Sequence, residues 1–176
     1  MAGNSISDLA TIIETLDRLG RLIRVKSEVD PHLDLAGVAA RFEGGPAAVL
    51  FENVKGFEDP VFTGLYWSRE LLADLMGKDE RQLPAFVSEC IGNWQRKPVE
   101  PKVVKTGPVL EITEDTVDLG RLPIPVHAAK DGGPYFDAGV VIARDPETGV
   151  RNASIQRFLV VDADTLHVNI DAGRHL

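Results

Sequence analysis

Cysteine is almost missing from the 176 residues. The single Cys90 rules out an intrachain disulfide and a four-cysteine zinc site. Long apolar runs are missing too. Stretches such as Phe158 to Val161 and Ala138 to Ala143 fall far short of the roughly 20 residues a membrane-spanning helix needs. Positive charge is in deficit, with 19 Lys and Arg against 27 Asp and Glu and a net charge of −8. That balance argues against broad binding to nucleic acid or anionic membranes, but it leaves room for a local basic pocket for a phosphate or carboxylate. The first cation is Arg18 and no long apolar stretch follows the start. No secretory leader is therefore expected, and a reducing, cytoplasmic setting is.

What is present suits a folded domain. Apolar residues make up 44% and charged residues 26%, which excludes wholesale disorder. A chain of this length can bury roughly 70% of the surface it exposes when unfolded. Near the start, Ser5 and Asp8 open a helix whose Leu9, Ile12, Ile13, Leu16 and Leu19 share one face, and Gly20 stops it. Arg21 to Val25 reads as a strand. Asp30-Pro31 opens a second helix through about Phe42, which Gly44-Gly45-Pro46 breaks. Ala47 to Phe51 and Val61 to Leu65 read as short strands. Ser68 caps a helix ended by Gly77, and Pro84 opens another with Phe86, Val87, Cys90, Ile91 and Trp94 on one face. Those apolar neighbours predict a core position for Cys90. The first hundred residues thus form a small α/β region, with no nucleophile elbow, Walker loop, Rossmann fingerprint or metal-binding helix.

Prolines 98, 101 and 108 mark an extended boundary. Glu111, Glu114, Asp115 and Asp118 beyond it read as a solvated face. Ala138 to Ala143 is predicted to be a strand buried on both sides. Asp145-Pro146-Glu147-Thr148-Gly149 is a hairpin connection, with a return strand from Val150 to about Val161. After a turn at residues 162–164, Leu166, Val168 and Ile170 alternate with polar residues as a half-buried strand. A run of antiparallel strands after an α/β region gives an α+β class, and a sheet curled into a partial barrel fits better than a doubly wound fold.

The chemistry gathers in Arg151-Asn152-Ala153-Ser154-Ile155-Gln156-Arg157 and in Gly173-Arg174-His175. Asn oxygen and neutral His nitrogen both ligate Mn²⁺ or Mg²⁺. An Arg grips a carboxylate with two parallel hydrogen bonds. Alternating polar residues on the wet face of a hairpin strand would look the same. Five strand residues span about 16 Å, comparable to a flavin mononucleotide, so Asn152 could serve its phosphate end and Arg157 its ring end. Residues five apart face opposite sides of a regular strand. A shared pocket therefore predicts a local irregularity between Ser154 and Arg157.

Several segments together resemble the UbiD-like, prenylated-FMN-dependent decarboxylases. They are Asp131-Gly132-Gly133-Pro134-Tyr135 and Arg144-Asp145-Pro146-Glu147-Thr148-Gly149-Val150-Arg151-Asn152, supported by Asp30-Pro31, Leu50-Phe51-Glu52-Asn53-Val54-Lys55-Gly56, Leu122-Pro123-Ile124-Pro125 and Gly173-Arg174-His175. The resemblance implies a small N-terminal α/β region over residues 1–100. The first part of a split antiparallel β-barrel of the flavin-binding type would follow over 101–176. It implies prenylated FMN as cofactor, Mn²⁺ (or Mg²⁺) at its phosphate, held by Asn152 and His175, and K⁺ nearby. Arg157 matches the residue that contacts cofactor and substrate carboxylate. Ser154, Ile155 and Gln156 match residues lining the cofactor, and Arg174 would neighbour the phosphate. The implied reaction is reversible, non-oxidative decarboxylation of aromatic, heteroaromatic or α,β-unsaturated acids, with homo-oligomers in the complete protein. The family's remaining metal ligand and catalytic glutamates should lie beyond Leu176. The chain alone is therefore expected to be inactive, with a further C-terminal part or a second chain supplying them. A flavin- or phosphate-binding module without catalysis, and a purely structural subunit, are the alternatives.

Overall fold

The computed structural model describes residues 8–170 together with 173. In chain order the elements are α1 (Leu9–Arg18), β1 (Leu22–Val25), α2 (Asp34–Ala39), β2 (Ala48–Phe51), β3 (Val61–Thr63), α3 (Arg69–Leu75), α4 (Leu83–Arg96), β4 (Tyr135–Arg144), β5 (Arg151–Val160) and β6 (Leu166–Val168). They make a mixed α/β fold with two three-stranded sheets, ordered β1-β2-β3 and β4-β5-β6. Two compact units result. One takes in the chain up to Val25, Phe42–Leu50 and Phe62–Asp115. The other takes in Lys26–Arg41, Phe51–Val61 and the chain from Thr116 onward.

The first unit is built on α1. Its cap is Asp8, one turn later than the expected Ser5, which lies outside the described residues. Asp8 Oδ1 accepts from the Thr11 backbone N–H at 2.8 Å and from the Thr11 hydroxyl at 2.6 Å. Leu16 is fully buried with Ala48 of β2 and Leu71 of α3, and Ile12, Leu22, Phe62 and Leu75 pack around them. Gly20, at φ +68°, ends the helix as expected. Arg21 then ties the start of β1 to α3, reaching Asp74 at 2.9 Å and Glu70 at 2.5 Å. Ser68 caps α3, its Oγ accepting from Leu71 N–H at 3.1 Å.

Helix α4 departs from expectation. Leu83 is buried and Phe86 carries the Lys78 ammonium over its ring at 4.7 Å. Val87, Ile91 and Trp94 are exposed, and Cys90 with them. Leu83 is the helix's one buried residue among the described residues, so Cys90 is a surface thiol and not a core residue.

The second unit begins with a correction. The helix expected from Pro31 starts only at Asp34, because residues 31–33 are drawn into a bridge with Val126. Leu33 N–H donates to Val126 O at 3.0 Å and Val126 N–H to Pro31 O at 3.1 Å. Leu33 sits at φ +75° to make this pairing, a strained setting for a branched residue. Asp30 also helps to end the extended stretch. It accepts from His32 N–H at 2.9 Å and from Lys55 Nζ at 2.9 Å. Val29, Leu35, Phe51 and Val54 are buried in this unit.

Strands β4, β5 and β6 form the expected antiparallel meander. The β4–β5 turn is built as its residues suggest. Asp145 Oδ1 accepts from Glu147 N–H at 2.7 Å and Thr148 N–H at 2.8 Å, and Gly149 takes φ +73°. β4 is not buried on both sides. Val140 and Ile142 on one face are exposed, while Gly139, Val141 and Ala143 on the other are half-buried. Leu166 and Val168 of β6 are exposed rather than half-buried. Among the described residues, no helix is long and apolar enough to cross a membrane.

Two predictions follow from local chemistry. Thr15 is buried and its hydroxyl has no hydrogen-bond partner among the described residues. Thr15→Val, which removes an unsatisfied polar group at constant shape, is expected to stabilise the protein by about 1 kcal/mol in denaturant titration. A loss of stability would show that the hydroxyl is bonded. The Asp145 carboxyl is held below its ordinary range by the backbone N–H groups of Thr148 and Glu147. A depressed carboxylate contributes stability above its unfolded value and loses it as pH falls through its folded value. The melting-temperature difference between the native chain and Asp145→Asn is therefore expected to be positive at neutral pH and to shrink below about pH 4.

Candidate functional site

The chemistry-bearing strand is β5, and its side chains alternate regularly. Asn152, Ser154, Gln156 and Phe158 are half-buried, whereas Arg151, Ala153, Ile155 and Arg157 are exposed. Gln156 Nε2 lies 3.4 Å from Ser154 Oγ on the half-buried face. The expected irregularity falls across the ladder, not within β5. Phe136 pairs with Phe158 and Gly139 with Gln156, so Asp137 and Ala138 of β4 together oppose Arg157. This is a β-bulge with its extra residue on β4.

Gly139 is required beside the bulge. A Cβ there would lie 2.7 Å from Cε2 of Phe158 and 3.2 Å from Gln156 O. The missing side chain lets the Phe158 ring lie close over β4.

The bulge faces a cleft of about 940 Å³, within the range of about 300–1,000 Å³ usual for cofactor and small-molecule sites. β5 lines it with Ile155, Gln156, Arg157 and Leu159, and β6 with His167 and Val168. Tyr135 and Asp137 enter from β4, and His127 and Asp131 from the segment before it. Arg157 is the only Lys or Arg among these lining residues, and no carboxylate of a described residue lies within ion-pair distance of it. Asp137 Oδ2 is instead 3.0 Å from His127 Nε2. Asp131 Oδ2 accepts from Ala128 N–H at 2.9 Å.

Of the residues singled out in the sequence, the cleft brings together Ile155, Gln156 and Arg157. Asn152 and Ser154 are not among its lining residues, and Asn152 leaves the opposite face of β5 from Arg157. Arg174 and His175 lie outside the described residues. Among the described residues, no three His, Cys, Asp or Glu side chains converge as a metal site. Sequence reasoning missed His127 and Asp137. They flank the turn-rich loop at residues 131–134, and a loop that reverses the chain brings its two flanks together.

Comparisons with known proteins agree over nearly the whole chain. Residues 13–91 match the 3-octaprenyl-4-hydroxybenzoate carboxy-lyase N-terminal domain, and residues 102–176 match the Rift-related domain of the same carboxy-lyase. An uncharacterized protein in the cooM 5′ region of Rhodospirillum rubrum is 67% identical over 97% of this chain and 37% of its own length. Anhydromevalonate phosphate decarboxylase of Methanosarcina mazei is 34% identical over 93% of this chain and 36% of its own length. The chain thus spans a little over a third of these curated relatives. An evolved dimeric form of the UbiD-class enzyme HmfF from Pelotomaculum thermopropionicum, solved in complex with prFMN, superposes with a TM-score of 0.83 at 38% identity. That match covers 93% of this chain and 38% of HmfF. With both domains of one carboxy-lyase matched in order, and with a fold shared with its solved members, the chain belongs to the UbiD family.

Proposed function

We propose that this chain supplies the carboxylate-binding part of the active site of a prenylated-FMN-dependent carboxy-lyase. Its substrates would be aromatic, heteroaromatic or α,β-unsaturated acids, and the reaction would run reversibly. The observation that carries this reading is Arg157. It is a cation without an ion-pair partner among the described residues, in a cleft of cofactor size. Decarboxylation leaves an electron pair on carbon, and prenylated FMN, when bound, supplies the sink for it.

The chain's own residues then do the positioning. Arg157 holds the substrate carboxylate in a two-point grip and fixes which bond is presented for cleavage. Ile155 offers an apolar surface to a planar ring, and Gln156 and Ser154 offer hydrogen bonds along the cofactor. The oxygen of Asn152 and the imidazole of His175 are donors suited to Mn²⁺ or Mg²⁺ at a flavin phosphate, with K⁺ nearby and Arg174 beside the phosphate. Asn152 would reach that end from the other face of β5. The residues beyond 101 would form the first part of a split barrel. Sequence outside the 176 residues would supply the remaining glutamates and the homo-oligomer contacts. The acidic balance assigns no role to nucleic acid or membrane, and the setting is cytoplasmic.

The test uses the full-length protein loaded with prenylated FMN and Mn²⁺ and a panel of aromatic and unsaturated acids. Arg157→Lys keeps the charge but loses the fork. It is expected to lower kcat/KM by about 10–100-fold, equivalent to about 1.5–3 kcal/mol. Unaltered turnover in Arg157→Ala would overturn the assignment. Separately, Asn152→Ala and His175→Ala are each expected to lower bound Mn²⁺ and flavin retention after gel filtration. Native metal and flavin content in either variant removes that residue from the site.

A further inference from the structure

Arg157 has to be aimed, and among the described residues no ion pair aims it. Its neighbours across the sheet give it little direct hold. On one side the two bulge residues of β4 stand opposite it, and on the other β6 ends at Val168, which pairs with Phe158. The residues before and after it are the ones in register, Gln156 with Gly139 and Phe158 with both Phe136 and Val168. Phe158 is thereby held from two strands. Its ring lies against Gly139, where an added Cβ would come within 2.7 Å of Cε2 and 2.8 Å of Cδ2. Gly139 is not at positive φ, so space and not backbone conformation demands the glycine.

We propose that Gly139 and Phe158 are positioning residues for the carboxylate grip. The missing side chain at 139 seats the Phe158 ring, and the seated ring sets the direction in which Arg157 enters the cleft. The proposal rests on the reading of Arg157 as the carboxylate anchor and names what aims it. Arg157 and Phe158 are consecutive on β5 and leave its opposite faces. A ring forced off Gly139 meets Phe136 on one flank and Val168 on the other. The backbone at 158 must then turn, and it carries the Cα–Cβ bond of Arg157 with it. The length of the arginine side chain magnifies a small rotation at its base. A two-point grip on a carboxylate tolerates little of this, about 0.5 Å or 10–20°.

The experiment measures binding of benzoate and of its uncharged amide, benzamide, to the full-length, prenylated-FMN-loaded protein by calorimetry. The acid-to-amide affinity ratio reads the grip, and the native value is expected to be about twentyfold. Gly139→Ala is expected to cut the ratio about tenfold, and Phe158→Leu alone about threefold. The double variant should return to the Phe158→Leu level, because the leucine clears the space that the new methyl takes. A merely structural fault would weaken both probes alike and leave the ratio unchanged. Asp145→Asn, which weakens the same hairpin at its turn, is the control and should keep the native ratio; a fall there overturns the proposal. So does a native ratio in Gly139→Ala, or one that stays low in the double variant, while a collapse of the ratio in Arg157→Ala keeps the arginine in its role. If Gly139→Ala does not load flavin, Phe158→Leu alone decides, an unchanged ratio overturning the proposal. A ratio unmoved by Arg157→Ala, or a native protein that binds benzoate no better than benzamide, removes the carboxylate reading and the proposal with it.

Discussion

Two residues of β4 face one residue of β5 at Arg157, and the character of the cleft depends on that mismatch. A regular antiparallel ladder would place one partner opposite the arginine and carry the alternation of β4 through unbroken. The extra residue lets β4 present Asp137 on the side of the cleft while Val141 and Ala143 remain half-buried further along the strand. The mismatch is kept in place by a close approach of backbone and ring. Phe158 occupies the space a side chain at position 139 would need. Sliding the register by one residue would drive that ring into Val140 or Ala138, so the arginine and the aspartate keep their relation by steric necessity and not by attraction between them.

The same region is steadied from a distance in sequence. Residues 30–33 precede Val126 by more than ninety positions and yet supply both of its backbone partners. Asp30 in turn is held by Lys55, and its carboxyl stays below its ordinary range chiefly through that bond, with His32 N–H contributing. The polar wall of the cleft therefore rests on a tether that begins in an exposed ion pair. Exposed pairs are worth little as stability. Here the pair's use is geometric, fixing where an extended segment stops and the short helix α2 begins.

Much of this fold was legible because it follows from short-range rules. The stops at Gly20 and Gly77, the Ser68 cap, the Asp145–Gly149 turn and the antiparallel order of the last strands each depend on a few adjacent residues. So did the conflict of parity between Asn152 and Arg157, although its resolution lay on the opposite strand. The failures share a cause in tertiary context. Nothing near Pro31 reveals that Val126 will claim the next residues and delay the helix. Nothing in the apolar spacing of Val87, Cys90, Ile91 and Trp94 says whether another element covers them. His127 and Asp137 are ten residues apart with no periodic relation, and only the path of the intervening loop makes them a pair.

The chain crosses between its two compact units after Val25, Arg41, Leu50, Val61 and Asp115. Neither unit is an uninterrupted stretch of polypeptide, so no single cut separates one from the other. Two of the crossings fall within β2 and β3, after Leu50 and after Val61, so each of these strands begins in one unit and ends in the other. Such a path makes many native contacts distant in sequence, and chains of that kind close their loops late and fold slowly. A protease nick after Asp115 keeps every segment of the first unit on one fragment and strands the second unit's segments on two, so the two units answer unequally to damage at the two ends.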